Sequence, residues 1–363
     1  MALSPPHTNE NSDPVPIWLE QHEYAEWDAF VGQHPYGLIY HLSSWKEAIE
    51  RAFSHIKGHF LVLRSGASGK IVGGIPVYSI CSWLLGNRIV SIPYASICDP
   101  LISSPQHFKL LWPKILDLQT STASHHIELR SVHNTEYVNN IPFCSRQIFL
   151  HHYLPLNEPI EDIKKNLPYN LRREIKKAHL HGLKLKKEKG KNSIYFLYHL
   201  ITNTRKKLCL PPIPLKLFES IDQSLHDRMS IFFAVQDQTN IASLLALHYK
   251  NTIHIEFYGG IPQAYQTGAS HFLHWEVIKY AHDIGCKLIS FGRTHPQNSG
   301  LIGFKRRWST VEEQITISRV VSKNCVHKRF EKGRDNLACR LIFGKAPLLI
   351  RKAFASFIYH HHG

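Results

Sequence analysis

One order of elements is written twice along this chain, and that repetition limits the folds open to it more than any single motif does. In the first half, HFLVLR and KIVGGIPVYSI flank the turn SGASG as a hairpin, and RIVSIPYA follows a second turn. A helical segment, PQHFKLLWPKILDLQT, and a strand, HHIELRS, complete the unit. The second half runs SIFFAVQD, NIASLLALHYK and TIHIEFYGG as three strands, SHFLHWEVIKYAHDIG as a helix ending at Gly285, and KLISFGR as a strand. The side chains of His59–Ser131 and Ser230–Arg293 do not align, so this is a repeat of pattern and not of sequence. It predicts an α/β (α+β) chain of two similar lobes with mixed sheets, and excludes one long doubly wound sheet.

Outside the repeat, MALSPPHTNENSDPVP is polar and Pro-rich with no apolar run behind it. It is expected to be a disordered leader to about Pro16 and not a secretory signal. EYAEWDAFVGQ and SSWKEAIERAF carry helical spacing, with Ser43 or Ser44 placed to cap the second helix. The uncharged stretch from Ile71 to Asn87 approaches a bilayer crossing in length. Gly73, Gly74, Pro76 and Gly86 instead divide it into buried strands. The seven cysteines are odd in number, widely spaced and without a CxxC pair, which predicts free thiols in a reducing, cytoplasmic compartment. His125-His126, His151-His152 and His360 to His362 are adjacent runs with no acid at ligand spacing, so no metal site is expected. Without a GxSxG, a Walker loop or a paired glycine fingerprint, hydrolase and kinase chemistry have no starting residue.

The formal net charge is +15, and it is focused. Residues 164–191 hold eleven Lys/Arg against Glu174 and Glu188, and residues 305–363 hold thirteen against four acids. Each window is +9, leaving −3 for the rest, which predicts a polyanionic partner or an anionic surface. Within the first window Pro168 breaks or starts a helix that Gly182 closes. Arg172, Lys176 and His179 then share a face, Arg173 and Lys177 lie beside them, and Leu171, Ile175 and Ala178 form an apolar strip. This describes a helix docked by one side and basic on the other. A non-catalytic RNA- or polyanion-binding protein would use the same cluster, although Tyr169 is its only aromatic residue. In the second window the tail from Ala346 has apolar residues largely on one helical side with Arg351 and Lys352 at its edge. That is the composition of a helix lying in an anionic membrane interface; the competing account is a helix packed on the second lobe.

Alternation in TIHIEFYGG places Ile253, Ile255 and Phe257 on one face and His254, Glu256 and Tyr258 on the other. Three polar side chains on one face of a mid-lobe strand must meet water, a ligand or one another.

In chain order, WDAFVGQHPYGLIYHLSSWKEAIERAF, IVGGIPVYSICSWLLGNRIVSIPYA, NLRREIKKAHLHGLKL, IEFYGGIPQAYQ, HFLHWEVIKYAHDIG and ISFGRTHPQNSGLIGFKRRW make residues 17–318 resemble the FemAB-like acyltransferases. These are duplicated GNAT-fold proteins that include the peptidoglycan bridge aminoacyltransferases and exopolysaccharide-associated relatives. The resemblance implies a first GNAT-like lobe over 17–158, the basic helix and a second GNAT-like lobe over 159–320, and a basic amphipathic tail over 321–363. It implies direct transfer of an acyl or aminoacyl group onto an amine of a cell-envelope or exopolysaccharide precursor held between the lobes. The donor would be acyl-CoA or aminoacyl-tRNA with no tightly bound cofactor. Its partners would be an anionic nucleotide- or lipid-linked precursor and tRNA, and its place the cytoplasm or the inner face of the cell membrane.

By the same resemblance, the substrates fall to Tyr36, Ser43, Trp45, Arg172, Arg173, Lys177, Arg293 and Phe304, and the chemistry to Lys305. On the polar face that the alternation gives the strand TIHIEFYGG, Glu256 would accept the acceptor's proton and Tyr258 return one to the leaving group; the alternative is ordinary cross-strand hydrogen bonding. Lys305 and Arg293 would stabilise charge on the carbonyl oxygen or hold a donor phosphate, where one lost donor costs ~3 kcal/mol. The alternative is that FKRRW is a basic turn whose Phe304 and Trp308 plug the core. A pyrophosphate loop would fall on Gly268, Ala269 and Ser270 before the central helix, but Tyr265 stands where the family has a basic or amide residue, and Ser270 where it has a small one. Cys98-Asp99 likewise replaces a Gly-Gly, and NSIYFLYHLITNTRKKLCL is too short for the coiled-coil arm of some relatives.

Overall fold

The computed structural model describes residues 13–138, 145–321, 343 and 346–361. Its strands are β1 (Val15–Trp18), β2 (Ile56–Arg64), β3 (Ile71–Ile80), β4 (Arg88–Val90), β5 (His126–Ser131), β6 (Ser145–Pro155), β7 (Lys184–Glu188), β8 (Met229–Gln236), β9 (Thr239–Tyr249), β10 (Thr252–Gly260), β11 (Leu288–Thr294) and β12 (Val311–Val321). The α-helices of the first half are α1 (Tyr24–Gln33), α2 (Ser43–Ala52), α3 (Pro105–Ser121) and α4 (Thr135–Val138). Those that follow are α5 (Ile160–Asn166), α6 (Tyr169–Leu180), α7 (Lys191–Lys207), α8 (Leu215–Leu225), α9 (Pro262–Gln266), α10 (Ala269–Asp283) and α11 (Ser299–Arg306). A last helix covers Leu348–His361.

The repeated order read from the sequence becomes a repeated topology. An antiparallel run β2-β3-β4 ends in the parallel pair β4/β5 across helix α3, and the run β8-β9-β10 ends in the parallel pair β10/β11 across helix α10. The strands join in one mixed sheet of order β1-β2-β3-β4-β5-β12-β6-β11-β10-β9-β8-β7. Its centre is an exchange: β6, which precedes the basic helix, pairs with β11, while β12, which follows the second unit, pairs with β5. These central strands, and the edge strands β1 and β7, were not expected. β1 also corrects the leader, since Val15–Trp18 pairs with Leu61–Arg64 of β2. Such pairings are non-local, and nothing in four residues announces the partner strand.

One further expectation changes. Ser43 is the first residue of helix α2 and not its cap; Asp28 of helix α1 accepts the Ser43 N–H at 2.8 Å and its hydroxyl at 2.5 Å. The helix Leu348–His361 lies against the protein: Arg88 donates to the His361 carbonyl at 2.9 Å, Tyr94 to that of Tyr359 at 3.3 Å, and Arg205 to the Tyr359 hydroxyl at 3.2 Å. It therefore touches both halves. One apolar cluster also runs through both, from Trp27, Trp45 and Phe60 to Phe218, Phe233 and Leu245. Among the described residues no helix is long and apolar enough to cross a membrane.

Candidate active site

The alternation of β10 is broken where the chemistry was expected. A bulge shifts the register between Ile255 and Phe257, leaving Glu256 as the extra residue. Ile253, Ile255 and Tyr258 consequently pack with the second lobe's own core, while Phe257 joins the cluster shared by both halves. Glu256 and Tyr258 are not on one face. Tyr258 turns toward Ser270 and packs its ring 5.9 Å from His274, whereas Glu256 turns toward the first lobe and accepts a hydrogen bond from Tyr40. The period-2 reading fails because one inserted residue reverses every later side chain.

Around Glu256 the surroundings are dry. Burial pushes its carboxyl up to about 7, against the opposing influence of Tyr40 and Lys305. Lys305, on helix α11, is 5% exposed, and burial pulls its ammonium down to about 7 while Glu256 resists. Its Nζ donates to the carbonyl of Gly292 at 2.9 Å, which β11 presents by taking a left-handed turn there (φ 68°). Phe304 and Trp308 pack the core, as the core-plug reading of FKRRW has it, and Lys305 between them is buried with Glu256 as its charged neighbour. Trp45 is buried with its ring 5.1 Å from that of Tyr40, and His254 closes the other side at 5.2 Å.

A cavity of about 300 Å³ opens on the other side of Tyr40, between the halves. Tyr36, Tyr40, Ser96, Asp99 and His133 line it from the first, and His254, Ser290 and Gly292 from the second, with His151, Tyr153 and Glu313 on the central strands. Glu256 and Lys305 stand behind its wall: Tyr40 links one to the cavity and the Gly292 carbonyl links the other. His151 bridges Ser290 at 2.9 Å and Glu313 at 3.4 Å. Asp99 is 1% exposed; one oxygen accepts the N–H groups of Val132, His133 and Asn134, and the other is buried without a partner. Burial raises its pKa.

Of the residues singled out from the sequence, Tyr36 is at the cavity, stacked on His133 at 4.3 Å, and Trp45 supports Tyr40 from the core. Arg293 lies with its guanidinium 4.8 Å above the Phe149 ring and its N–H on Ser96. Phe304 packs against His274 and Trp308. Ser43 is held by Asp28. A second group gathers at the start of helix α10. Gly268 caps it in the left-handed region (φ 73°), and a Cβ there would lie 3.5 Å from the Glu174 carbonyl of helix α6. Ala269 is buried and the Ser270 carbonyl accepts from His274 at 2.7 Å. Arg172, Arg173 and Lys177 are exposed on the far side of α6, whose Leu171, Ile175 and Ala178 are buried. Lys207, at the end of helix α7, sits 3.6 Å from the centre of the Tyr265 ring.

Tyr40, Asp99, His151, Ser290 and Glu313 were not assigned site roles from the sequence. Tyr40 lies inside an apolar-looking LIYHL stretch, and the rest are brought together by the exchange of β6 and β12. Among the described residues no group of three metal-ligating side chains gathers.

The family model for the acetyltransferase (GNAT) domain matches residues 165–306. The solved structure of FemX superposes on 83% of this chain and 96% of its own, with a TM-score of 0.67 at 12% identity. This is a FemAB-like, duplicated GNAT fold. A tandem GNAT protein from the clavulanic acid biosynthesis pathway is similar over 86% of this chain and 99% of its own, at a TM-score of 0.55 and 10% identity. L-PGS from Bacillus licheniformis is similar over 69% and 82%, at 0.50 and 11%. No curated protein matches the sequence. The second lobe is an acyltransferase domain by its family model, and β10, helix α10 and β11 lie within that match.

Proposed function

We propose that this FemAB-like protein transfers an acyl or aminoacyl group directly onto an amine of an anionic cell-envelope or exopolysaccharide precursor bound in the cavity between its lobes. The observation that carries the reading is Glu256, a carboxyl buried to a pKa of about 7 and hydrogen-bonded to the cavity-wall Tyr40. A base poised near neutrality is matched to the proton that an attacking amine must lose. As the nitrogen bonds to the acyl carbon, its proton passes to the Tyr40 oxygen while the Tyr40 proton passes to Glu256. The bond from the acyl carbon to the donor then breaks, and the leaving thiolate or ribose oxygen takes up the proton that Glu256 gives back through Tyr40, which restores the carboxylate. Lys305 holds the Gly292 carbonyl in place and keeps a positive charge beside Glu256 while that carboxylate is ionised.

The donor is acyl-CoA or aminoacyl-tRNA. Either brings phosphates, for which the start of helix α10, Lys207 and the basic face of α6 provide an electropositive corner. As a test, envelope precursors of a strain lacking the protein are compared by mass spectrometry with those of strains carrying the wild type or Glu256→Gln. One precursor should lose an acyl or amino acid mass in the deletion, regain it with the wild type, and regain little with Glu256→Gln, whose rate should fall ~10²–10⁴-fold. Full restoration by Glu256→Gln, or no mass change in the deletion, sinks the reading.

A further inference from the structure

The helix Leu348–His361 is docked by Arg351, Ala355 and His361, yet its other side presents Leu349, Ile350, Phe354 and Phe357 to solvent. On a helix these four positions fall on one side. The patch does not stop there. The turn between β3 and β4 projects Trp83, which is 77% exposed, and Leu84 beside it. The Trp83 ring meets Phe357 at 6.2 Å and His361 at 5.0 Å. Six large apolar side chains from two distant parts of the chain therefore form one surface, with Leu349 81% exposed at its far end.

The surface is held rigidly. Within the turn, Ser82 takes its N–H to Asn87 at 3.1 Å, and its hydroxyl joins the His361 ring at 2.9 Å. Arg88 and Tyr94, at either end of the β4 region, fix the last turn of the helix through its carbonyls. An apolar patch kept in place this firmly offers protruding side chains to a fluid phase rather than a socket to a ligand.

Its charge selects the phase. No Asp or Glu occurs between Arg64 and Asp99, and none follows Asp335, while Lys352 is exposed on the helix and Arg340 and Lys345 precede it in the sequence. A second copy meeting this patch in a two-fold pairing would set two net-basic, acid-free segments against each other. An anionic lipid surface would instead complement them, with the apolar side chains entering at the level of the headgroups.

We infer that the outer face of the C-terminal helix together with the Trp83–Leu84 turn is a two-part anchor for an anionic lipid bilayer. The inference does not depend on the chemistry proposed above, and its test needs no substrate. The full chain is mixed with sucrose-loaded vesicles of phosphatidylcholine, with or without about 30% phosphatidylglycerol. The wild type should sediment with the anionic vesicles and be released as salt rises from ~0.05 to ~0.5 M. The triple variant W83S/L349S/F357S, altered only at exposed positions, should keep the wild-type melting temperature and bind at least about tenfold more weakly. A basic-helix variant, R172A/R173A/K177A, should bind like the wild type. Wild-type protein left in the supernatant, or undiminished binding by the apolar variant, overturns the anchor. So does loss of binding in the basic-helix variant alone, which would place the lipid contact on α6. A concentration-dependent dimer that the apolar variant abolishes would overturn it as well, by giving the patch to a second copy.

Discussion

Glu256 and Lys305 are both drawn to about 7, from opposite directions and by the same cause, removal from water. Their effects on stability therefore have opposite signs. Between its ordinary 4.5 and about 7, Glu256 is protonated in the folded chain and ionised in the unfolded one, so folding loses stability as pH rises through that window. Between about 7 and its ordinary 10.5, Lys305 is neutral when folded and charged when unfolded, so folding gains stability as pH rises there. Melting curves should follow this. Glu256→Gln should flatten the fall in melting temperature between pH 4.5 and 7 relative to wild type, and Lys305→Met should flatten the rise between 7 and 10.5. Unchanged slopes in both variants would mean that the two groups are solvated and ordinary. Lys305→Ala is a harsher change than a purely electrostatic role would suggest, because it also leaves the Gly292 carbonyl without its donor, a loss of ~1–3 kcal/mol.

Helix α6 gives the clearest case of an element legible in the sequence. Pro168 sets its start, Gly182 follows its end with a positive φ, and the strip Leu171, Ile175 and Ala178 is buried while Arg172, Arg173 and Lys177 are exposed. Three exposed cations on one docked helix predict that R172A/R173A/K177A changes folding by no more than about 0.5 kcal/mol. The same variant should weaken binding of an anionic substrate, seen as a raised KM, with the difference from wild type shrinking as salt is added. A difference that persists at high salt would assign these residues a packing role. The elements that resisted reading did so for equally local reasons. β10 has ideal alternation on paper, and only pairing with β9 reveals that Glu256 is a bulge. The cation beside Tyr265 was not legible because Lys207 is 58 positions away in the chain and adjacent only in space. β6 and β12 carry His151, Tyr153 and Glu313 of the cavity, but their meaning lies in which strands they separate. Secondary structure with its own period and its own caps was legible; a site assembled by strand exchange was not.

At the scale of the molecule, that exchange makes the two lobes one folding unit. β12 lies between β5 and β6 and pairs with both, so neither sheet half is complete without a strand from the other end of the chain. The seam is also closed by charge. Glu128 of β5 is bonded to Arg130 at 2.9 Å and to Arg319 of β12 at 2.9 Å, and although burial alone would raise its carboxyl, the two guanidinium groups hold it at about 2. Its contribution is therefore complete above the ordinary 4.5 and is lost only as pH falls toward 2. Removing this carboxylate leaves Arg130, itself buried, with only the Ala95 carbonyl among its described partners, and breaking such a pair costs about 3–5 kcal/mol. If the lobes were independent, Glu128→Ala would destabilise the first and spare the second, and the melt would split. Because the sheet is continuous and the apolar cluster from Trp27 to Leu245 is shared, the loss should instead be distributed over the entire chain. The expected outcome at neutral pH is a single cooperative transition, displaced downward by several degrees, with far-UV dichroism and tryptophan fluorescence moving together. A two-step melt whose upper transition stays at the wild-type temperature would show that the lobes fold separately and that the strand exchange only docks them.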